Sequence, residues 1–314
     1  MKSAALLGFG AAILDDMALI SEELASMTLA HQSGAVDMVQ MQSLLDLLPE
    51  PPLARPGGST ANTLRAFAGL GGKAGMLTLL GDDPQGEYFR QQMQAAGVDC
   101  RNCKMRPGAM TGRCLSLVTP DGERSMYTLQ GVAAQMQAAD FSAGDFCGYS
   151  HLFVEGYALY TPAALLHVLE LAKQAGLCIA FDAGSPELVT ANRGLLNELL
   201  GEFVSVAFFN EPEGLALAGV SEREAALENL ARLCEIAVLK LGGEGAWIAA
   251  DGAAIVVPAV KTQLVDTTGA GDFWAGAFLY AQLEGRSLEE AGALAARLAA
   301  AVVAQVGCKM PAKW

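Results

Sequence analysis

The segment Asp266–Asp272 has the residue types of a phosphate site beside a base. It reads Asp-Thr-Thr-Gly-Ala-Gly-Asp, and a helical pattern from Phe273 to Leu283 follows at once. Glycines let a ligand approach the backbone closely, and N–H groups at a helix N-terminus attract phosphate. Asp272 stands at that end, where a carboxylate can accept a proton from an attacking hydroxyl group. The segment indicates phosphoryl transfer to a small alcohol, although a glycine turn before an Asp that stabilises a helix start would explain the same letters.

The composition excludes several classes of protein. The chain has 314 residues, 52% of them apolar and 17% charged, with a formal net charge of -14. Nucleic-acid binding would need a basic stripe, which is absent from the sequence. The longest apolar stretch, residues 291–307, contains Arg297 and Gln305 and is too short for a membrane span. The apolar start predicts a buried strand rather than a signal peptide, and the seven scattered cysteines predict reduced thiols, so we expect a cytoplasmic protein.

Short apolar runs alternate with helical patterns along the chain. Because repeated strand–helix–strand order favours right-handed crossovers, it predicts a mainly parallel sheet covered on both faces. The candidate strands are Ala4–Gly8, Met76–Leu80, Leu152–Val154, Cys178–Phe181, Val204–Phe209 and Ala237–Leu241. The candidate helices are Ser59–Ala68, Pro84–Ala96, Ala163–Ala175, Leu188–Leu200, Glu222–Cys234, Gly271–Glu284 and one that opens at the capping box Ser287 to Glu290.

Two regions interrupt this alternation. Residues 17–52 form a long excursion after the first strand, and residues 111–130 read as a hairpin with a Pro-Asp-Gly turn. Together they predict a small β-rich lid on one edge of the sheet. We therefore expect one domain, residues 1–314, with the lid segments inserted in it.

Five motifs in order resemble those of the ribokinase/PfkB family of carbohydrate and nucleoside kinases. They are Gly57-Gly58-Ser59-Thr60-Ala61-Asn62, Gly81-Asp82-Asp83-Pro84-Gln85-Gly86, Asn210-Glu211-Pro212-Glu213, Lys240-Leu241-Gly242-Gly243-Glu244-Gly245 and Asp266 to Asp272. The letters Gly122-Glu123-Arg124-Ser125-Met126 are similar to the adenosine-kinase-like branch in particular. The matches run from Gly8 to about Gly307, nearly the whole chain. The resemblance implies a ribokinase-like three-layer α/β/α fold with a small β-rich lid.

On the substrate side, the resemblance implies four residues. Asp15, interpreted as ending the first strand, would accept hydrogen bonds from two sugar hydroxyls, because a carboxylate offers about four lone-pair sites. Gly57 and Gly58 would let the substrate ring lie against the backbone, and Asn62 would pair with its hydroxyls. Ala11 stands where adenosine-kinase-like proteins often have Asn, which argues against adenosine itself.

On the phosphate side, the resemblance implies ATP as the donor and Asp272 as the general base. The N–H groups that would stabilise the transferring γ-phosphoryl group belong to Gly269, Ala270 and Gly271. The residues implied on the nucleotide side are Lys240, Gly242, Gly245 and Thr268. Lys240 stands where a Thr is common in the family.

The resemblance also implies Mg²⁺, oriented by Asn210 and Glu213 either directly or through water, since Mg²⁺ keeps several waters. These residues follow an apolar strand, at the edge where open α/β sheets bind ligands. A helix start with Pro at its first turn and acidic neighbours would explain the same letters.

We therefore expect a kinase that moves the γ-phosphoryl group of ATP to a hydroxymethyl group of a small sugar or sugar-like substrate. The alternatives are a nucleoside kinase of the adenosine type, with a base slot lined by Tyr127, Phe153 or Tyr157, and a non-catalytic sugar or nucleoside sensor on the same fold. A dehydrogenase is a more distant alternative, because its glycine fingerprint is incomplete. The expected partners are small molecules, without nucleic acid or membrane, in a monomer or homodimer.

Overall fold

The structure is a computed structural model that describes residues 5–27, 34–121, 124–312 and 314. Ala4, Gly122 and Glu123, which the sequence assigned to a strand and a hairpin, lie outside these ranges. The strands are β1 Ala5–Phe9, β2 Ile13–Leu19, β3 Gly34–Ala35, β4 Leu53–Gly57, β5 Lys73–Gly81, β6 Val98–Asp99, β7 Cys103–Arg106, β8 Gly112–Val118, β9 Arg124–Leu129, β10 His151–Glu155, β11 Cys178–Asp182, β12 Val206–Asn210, β13 Ile236–Lys240, β14 Gly245–Ala250 and β15 Ala253–Pro258. The α-helices are α1 Glu22–Met27, α2 Met38–Asp46, α3 Ser59–Gly69, α4 Pro84–Ala95, α5 Pro162–Gln174, α6 Pro186–Ala191, α7 Arg193–Phe203, α8 Glu211–Ala218, α9 Arg223–Leu230, α10 Ala270–Leu283 and α11 Leu288–Val303.

The main sheet is parallel through most of its width. Its strand order is β15-β14-β13-β12-β11-β10-β1-β5-β6, with β7 also paired to β5. Pairing is parallel from β13 to β6, and the β13–β14–β15 end is antiparallel. The predicted parallel sheet is therefore confirmed, and its parallel strands all end at the same edge.

Helices cover both faces of the main sheet, because its strands are apolar on both sides. Leu7 and Phe9 of β1 pack in the core cluster shared with α5 and α7, while Leu6 packs in the cluster shared with α3, α10 and α11. Successive side chains of a strand point to opposite faces, so a continuous apolar run fits a strand buried on both sides. The three-layer ribokinase-like arrangement is confirmed.

A second sheet stands beside the main one, in the order β3-β9-β8-β2-β4. One of its faces has a small core of its own, where Leu115, Leu117 and Tyr127 pack with Met41 of α2 and Ala25 of α1. The predicted segment 17–52 thus contributes two helices as well as strand residues. The strands β2 and β4 extend beyond the bounds predicted for that segment. The role of this sheet as a lid remains a prediction.

Two local predictions were wrong, and one hairpin was not predicted. Asp15 does not end the first strand, because β1 stops at Phe9 and the turn at residues 10–12 leads into β2, where Asp15 lies. The predicted helix 188–200 is split at Asn192, whose side chain donates to the Leu188 carbonyl at 2.9 Å and so competes with helix bonding. The β14–β15 hairpin was missed, although its turn, Asp251-Gly252, has positive φ at both residues, as a type I′ turn requires.

Candidate active site

The carboxyl edge of the main sheet gathers polar residues from four neighbouring strands. Glu155 ends β10, Asp182 ends β11, Asn210 ends β12 and Lys240 ends β13. Glu155 is in register with Asp182, and Asn210 with Lys240. Apolar runs that each end in a polar residue therefore place these groups side by side, at the edge where open α/β sheets bind ligands.

The mouth of α10 meets this edge. Gly269 is the N-cap with φ 73°, and a Cβ there would lie 2.0 Å from Cys308 Sγ, so only glycine fits. A Cβ on Gly271 would lie 3.2 Å from Lys240 Nζ. The Ala270 N–H donates to the Thr267 carbonyl at 3.2 Å and closes the turn. The three-donor cradle remains a prediction, and one of its three N–H groups already has an acceptor in this structure.

Asp272 lies in the first turn of α10 with both carboxylate oxygens held. Ser59 Oγ donates to Oδ1 at 2.7 Å, and Asn62 Nδ2 donates to Oδ2 at 2.9 Å. Burial raises the pKa of this carboxyl, as does the negative charge of Asp182, while the bonds from Ser59 and Asn62 and the charge of Lys240 oppose the rise. The two donors from α3 fix the orientation of the carboxylate.

Asn62 and Gly58, predicted to bind substrate, also have structural partners. Asn62 Oδ1 accepts from Arg65 Nη1 at 3.2 Å, so both ends of the amide are engaged. Gly58 has φ 87°, and a Cβ there would lie 2.9 Å from the Ala11 carbonyl oxygen. The glycine pair therefore permits a close crossing of two backbone segments beside the site.

Asp15 lies on the face of the second sheet that points towards α10. Its carboxylate occupies the space above Gly57, where a Cβ would lie 2.1 Å from Asp15 Oδ2. The pKa of Asp15 is raised to about 7. Burial is the largest cause, the negative charges of Asp272 and Asp16 add to it, and the positive charge of Arg65 acts against the rise. Asp15 and Thr268 both line a cavity of about 90 Å³ between the second sheet and the mouth of α10. The predicted substrate side and phosphate side thus face one cleft.

Lys240 carries the positive charge of the phosphate side. Its ammonium donates to Asp182 Oδ2 at 2.7 Å. Burial acts to lower its pKa, but the negative charges of Asp182, Glu213 and Asp272 outweigh burial and raise it. A protonated lysine therefore lies beside Gly271, where an anion would be bound.

The Asn210–Glu213 pair forms a capping box at the start of α8. Glu213 N–H donates to Asn210 Oδ1 at 2.9 Å, while Asn210 N–H and Nδ2 donate to the two Glu213 oxygens at 2.7 and 2.8 Å. Glu213 is 2% exposed, and burial, more than the charge of Asp182, raises its pKa to about 7. Among the described residues, no group of three or more His, Cys, Asp or Glu side chains could hold a metal ion. The pair lies at the carboxyl edge of the sheet, and its side chains cap the N-terminus of α8.

The other residues predicted on the nucleotide side shape turns. Thr268 N–H and Oγ1 donate to Asp266 Oδ1 at 3.0 and 2.7 Å, and Gly307 N–H donates to Oδ2 at 2.9 Å. Gly242 and Gly245 have φ values of 57° and 105°, and a Cβ on Gly245 would lie 2.0 Å from a carbonyl oxygen of β15. These residues fix the loops that border the phosphate side.

The sequence interpretation missed Glu155, which holds the turn after β1 and the start of α3 next to each other. This fully buried carboxylate accepts from the Ala11 N–H and the Thr60 N–H, each at 2.7 Å. Burial raises the pKa of Glu155 to about 7, although the two hydrogen bonds act to lower it. Asp182 was missed as well. The available signal was the same for both residues: an acidic side chain that directly ends a buried apolar strand.

Comparison with known proteins agrees with this geometry. The profile of the pfkB family carbohydrate kinases matches residues 52–314. The chain is 30% identical to aminoimidazole riboside kinase of Salmonella typhimurium, over 75% of this chain and 77% of that protein. It is 27% identical to fructokinase-1 of Oryza sativa, over 78% of this chain and 79% of the relative.

Solved structures give the same result. A probable sugar kinase from Rhizobium etli superposes with a TM-score of 0.89 at 30% identity, covering 100% of this chain and 96% of the other. Adenosine kinase from Sinorhizobium meliloti superposes with a TM-score of 0.87 at 30% identity, covering 98% and 96%. None of the described helices has the length and apolar character of a membrane span. The chain belongs to the pfkB family of carbohydrate kinases, and its reaction is the ATP-dependent phosphorylation of a sugar or nucleoside-like substrate.

Proposed function

We propose that the protein transfers the γ-phosphoryl group of ATP to a hydroxymethyl group of a small sugar or sugar-like substrate, with Asp272 as the general base. One observation carries this proposal: the Asp272 carboxylate is held by Ser59 and Asn62 at the mouth of α10, close enough to Asp15 and to Lys240 for its charge to raise the pKa of each. The residue thus faces both a group suited to sugar hydroxyls and a group suited to phosphate.

The proton step follows from the hydrogen bonds of Asp272. Both oxygens accept a bond, which favours the ionised form, and each oxygen keeps a lone pair for the substrate hydroxyl. The raised pKa brings the carboxyl closer to neutral pH, where a general base works best. Proton transfer to a positioned carboxylate contributes a factor of about 10²–10⁴ to the rate.

Substrate positioning falls to the second sheet and the start of α3. Asp15 would accept bonds from sugar hydroxyls, since it has no hydrogen bond within the described residues. Gly57 leaves room for the Asp15 carboxylate itself, and Gly58 leaves room for the Ala11 carbonyl. Asn62 holds Asp272 and accepts from Arg65, and its second N–H and second oxygen lone pair remain for a substrate hydroxyl.

ATP fits the opposite side of the base. The Ala270 N–H donates to the Thr267 carbonyl. The other N–H groups in the first turn of α10 have no intrahelical acceptors, and Gly269 and Gly271 would let phosphate oxygens approach them. The Lys240 ammonium lies beside Gly271 and would pair with a phosphate oxygen. Gly242, Gly245 and Thr268 would shape the loops around the nucleotide.

Mg²⁺ fits this side through water rather than through direct protein ligands. Both oxygens of Glu213 and the amide of Asn210 already bond to each other, so direct coordination would open the cap of α8. Mg²⁺ usually keeps several waters and binds substrate phosphates. When bound with ATP, the ion would neutralise charge on the phosphate oxygens.

We expect a single domain whose second sheet acts as the lid, covering the cleft and excluding water from the transfer. The free thiols of all seven cysteines fit a cytoplasmic enzyme. A monomer or homodimer with only small-molecule partners remains our expectation.

A nucleoside is the second candidate acceptor, because the chain resembles both an adenosine kinase and a riboside kinase at 30% identity. Of the aromatic residues proposed for a base slot, Tyr127 is 2% and Phe153 0% exposed, each inside a core cluster. Tyr157 is 37% exposed and stacks against Tyr160, so of these three only Tyr157 could contact a base. The structure therefore favours a sugar without a large aromatic group.

A coupled ADP-release screen over pentoses, hexoses and nucleosides tests the proposal. We expect turnover with at least one sugar and mass-spectrometric detection of a phosphate ester at a primary hydroxyl. An ester at a secondary hydroxyl would contradict the proposed acceptor group, and failure with every acceptor would favour the sensor alternative.

A further inference from the structure

Arg55 is a charged side chain in the cleft whose chemistry the proposed reaction does not use. It lies on β4 directly opposite Asp15 of β2, and side chains opposite each other in an antiparallel pair point to the same face. Arg55 lines the same cavity as Asp15, Thr268 and Gly307. A Cβ on Gly307 would lie 2.4 Å from Arg55 Nη1, so the guanidinium rests against that backbone.

The guanidinium of Arg55 has no acceptor in the described part of the chain. Its Nη1 is out of contact with water and forms no hydrogen bond, and no ion pair or other bond of Arg55 is found among the described residues. Neighbouring arginines differ. Arg65 donates to three acceptors, including the Cys308 carbonyl at 2.9 Å, and Arg113 pairs with Asp16 at 2.6 Å.

The nearby carboxylates do not compensate for this charge. Asp16 is bonded to Arg113 through Oδ2, and its buried Oδ1 forms no hydrogen bond, to Arg55 or to any other described residue. Its side chain leaves β2 on the face opposite that of Asp15, because successive side chains alternate. Asp266 accepts from Thr268 and Gly307. Asp15 is left for sugar hydroxyls. The nearby Arg65 is a second positive charge, and the charge of Arg55 acts to lower the pKa of Arg65.

A buried guanidinium N–H without an acceptor is unfavourable, because it has lost its hydrogen bond to water and gained no other. A ligand that supplies an anionic oxygen would remove this cost, and the planar fork of Arg matches phosphate and carboxylate groups. We propose that Arg55 recognises an anionic substituent, a phosphate or a carboxylate, on the acceptor sugar at a position remote from the hydroxymethyl group that is phosphorylated. This inference rests on the proposed function and names the class of its substrate.

Matched ligand pairs test this assignment. D-Ribose with D-ribose 1-phosphate and D-fructose with D-fructose 6-phosphate test phosphate, and D-glucitol with D-gluconate tests carboxylate. Calorimetric titration of the purified full chain should show, in at least one pair, binding at least tenfold tighter for the anionic member. Arg55→Gln should reduce that ratio to about one. Arg101→Gln, which removes an exposed arginine that pairs with Asp99 and does not line this cavity, should leave it unchanged.

Stability gives a second measurement that does not depend on finding the natural substrate. Because Arg55 lacks an acceptor in the ligand-free protein, Arg55→Gln should leave the apo Tm unchanged or raise it. A clear fall in Tm would show a structural role and overturn the inference. So would the absence of any anion preference in the wild type, or a preference that survives in Arg55→Gln.

The two proposals fail in different ways. Turnover of neutral sugars with no anion preference would overturn the role of Arg55 and leave the kinase proposal intact. Anion-dependent binding that disappears in Arg55→Gln, without phosphorylation of any ligand, would support Arg55 and contradict the proposed reaction.

Discussion

The two sides of the cleft differ in how their polar groups are paired. On the phosphate side, Asp182 is bonded to Lys240, Asn210 to Glu213, and Asp266 to Thr268. On the second sheet, Asp15 and Arg55 lie opposite each other and neither has a hydrogen bond within the described residues. Paired groups are already held in place before a ligand binds, whereas unpaired groups need the ligand to satisfy them. The side proposed for the common donor ATP is therefore preorganised, and we expect the side proposed for the acceptor to be completed by the acceptor itself.

The largest effect is expected at Asp272, where the two sides meet. Asp272→Asn should keep the fold and ATP binding but lower kcat by about 10²–10⁴, because the amide cannot accept the proton. Turnover with a pure acceptor measures this, with Asp251→Asn in the distant β14–β15 turn as the matched control. If the Asp272→Asn enzyme retained turnover within about threefold of wild type, Asp272 would not be the base.

Next in size is the loss of the unpaired carboxylate on the second sheet. Asp15→Asn should raise the acceptor KM by about 10–100-fold, since two charge-assisted hydrogen bonds are weakened, while the KM for ATP stays within about twofold. In the wild type, the acceptor KM should fall as the pH rises through about 7, where Asp15 ionises. Equal loss of affinity for ATP and acceptor would remove the distinction between the two sides.

The third prediction concerns the pH dependence of stability. The folded pKa of Glu155 is about 7, above the ordinary value of 4.5, so the folded state holds this proton more tightly than the unfolded chain. Its contribution is therefore full below about pH 4.5 and is lost as the pH rises through 7. Urea unfolding of wild type and Glu155→Gln at pH 5 and pH 8 should show a stability difference that shrinks by about 1–3 kcal/mol at the higher pH. A difference that grows with pH would contradict this sign.

The smallest effect is expected on the paired side. Asn210→Ala removes the cap of α8 and should cost about 1 kcal/mol of folding free energy, with the KM for Mg²⁺–ATP changed less than threefold. Chemical unfolding and Mg²⁺ titrations of activity measure the two quantities. A tenfold rise in the Mg²⁺ requirement at unchanged stability would instead assign Asn210 to the metal.

The main sheet could be predicted from the sequence because each of its strands is a short apolar run bounded by helices. The phosphate side was predictable for a similar reason: its residues are local in sequence, as in the segment Asp266–Asp272. The grouping of Asp15 with the substrate side by resemblance stays a prediction. Asp15 was assigned to the wrong strand, since the glycine-containing turn before it did not reveal a change of sheet.

Groups that depend on distant contacts could not be predicted. Glu155 bonds to Ala11 and Thr60, which are more than 90 positions away in sequence. Arg55 is unpaired because no acceptor from the described residues lies within hydrogen-bond distance of it. The Cys308 thiol, which follows α11, lies against Gly269 at the start of α10. No local sequence pattern indicates this contact. These contacts arise from the packing of segments that are far apart in the sequence, so hydrophobic periodicity does not predict them.

The separate core of the second sheet has a consequence for how this enzyme can diversify. Leu115, Leu117 and Tyr127 pack with α1 and α2, apart from the two clusters that flank the main sheet. Residues on the opposite, cleft-facing side can therefore be exchanged without disturbing any of these cores. Libraries that vary Arg55, Ser116 and Met126 together should yield many folded variants, in which selection can change the acceptor while the chemistry of the transfer is inherited intact.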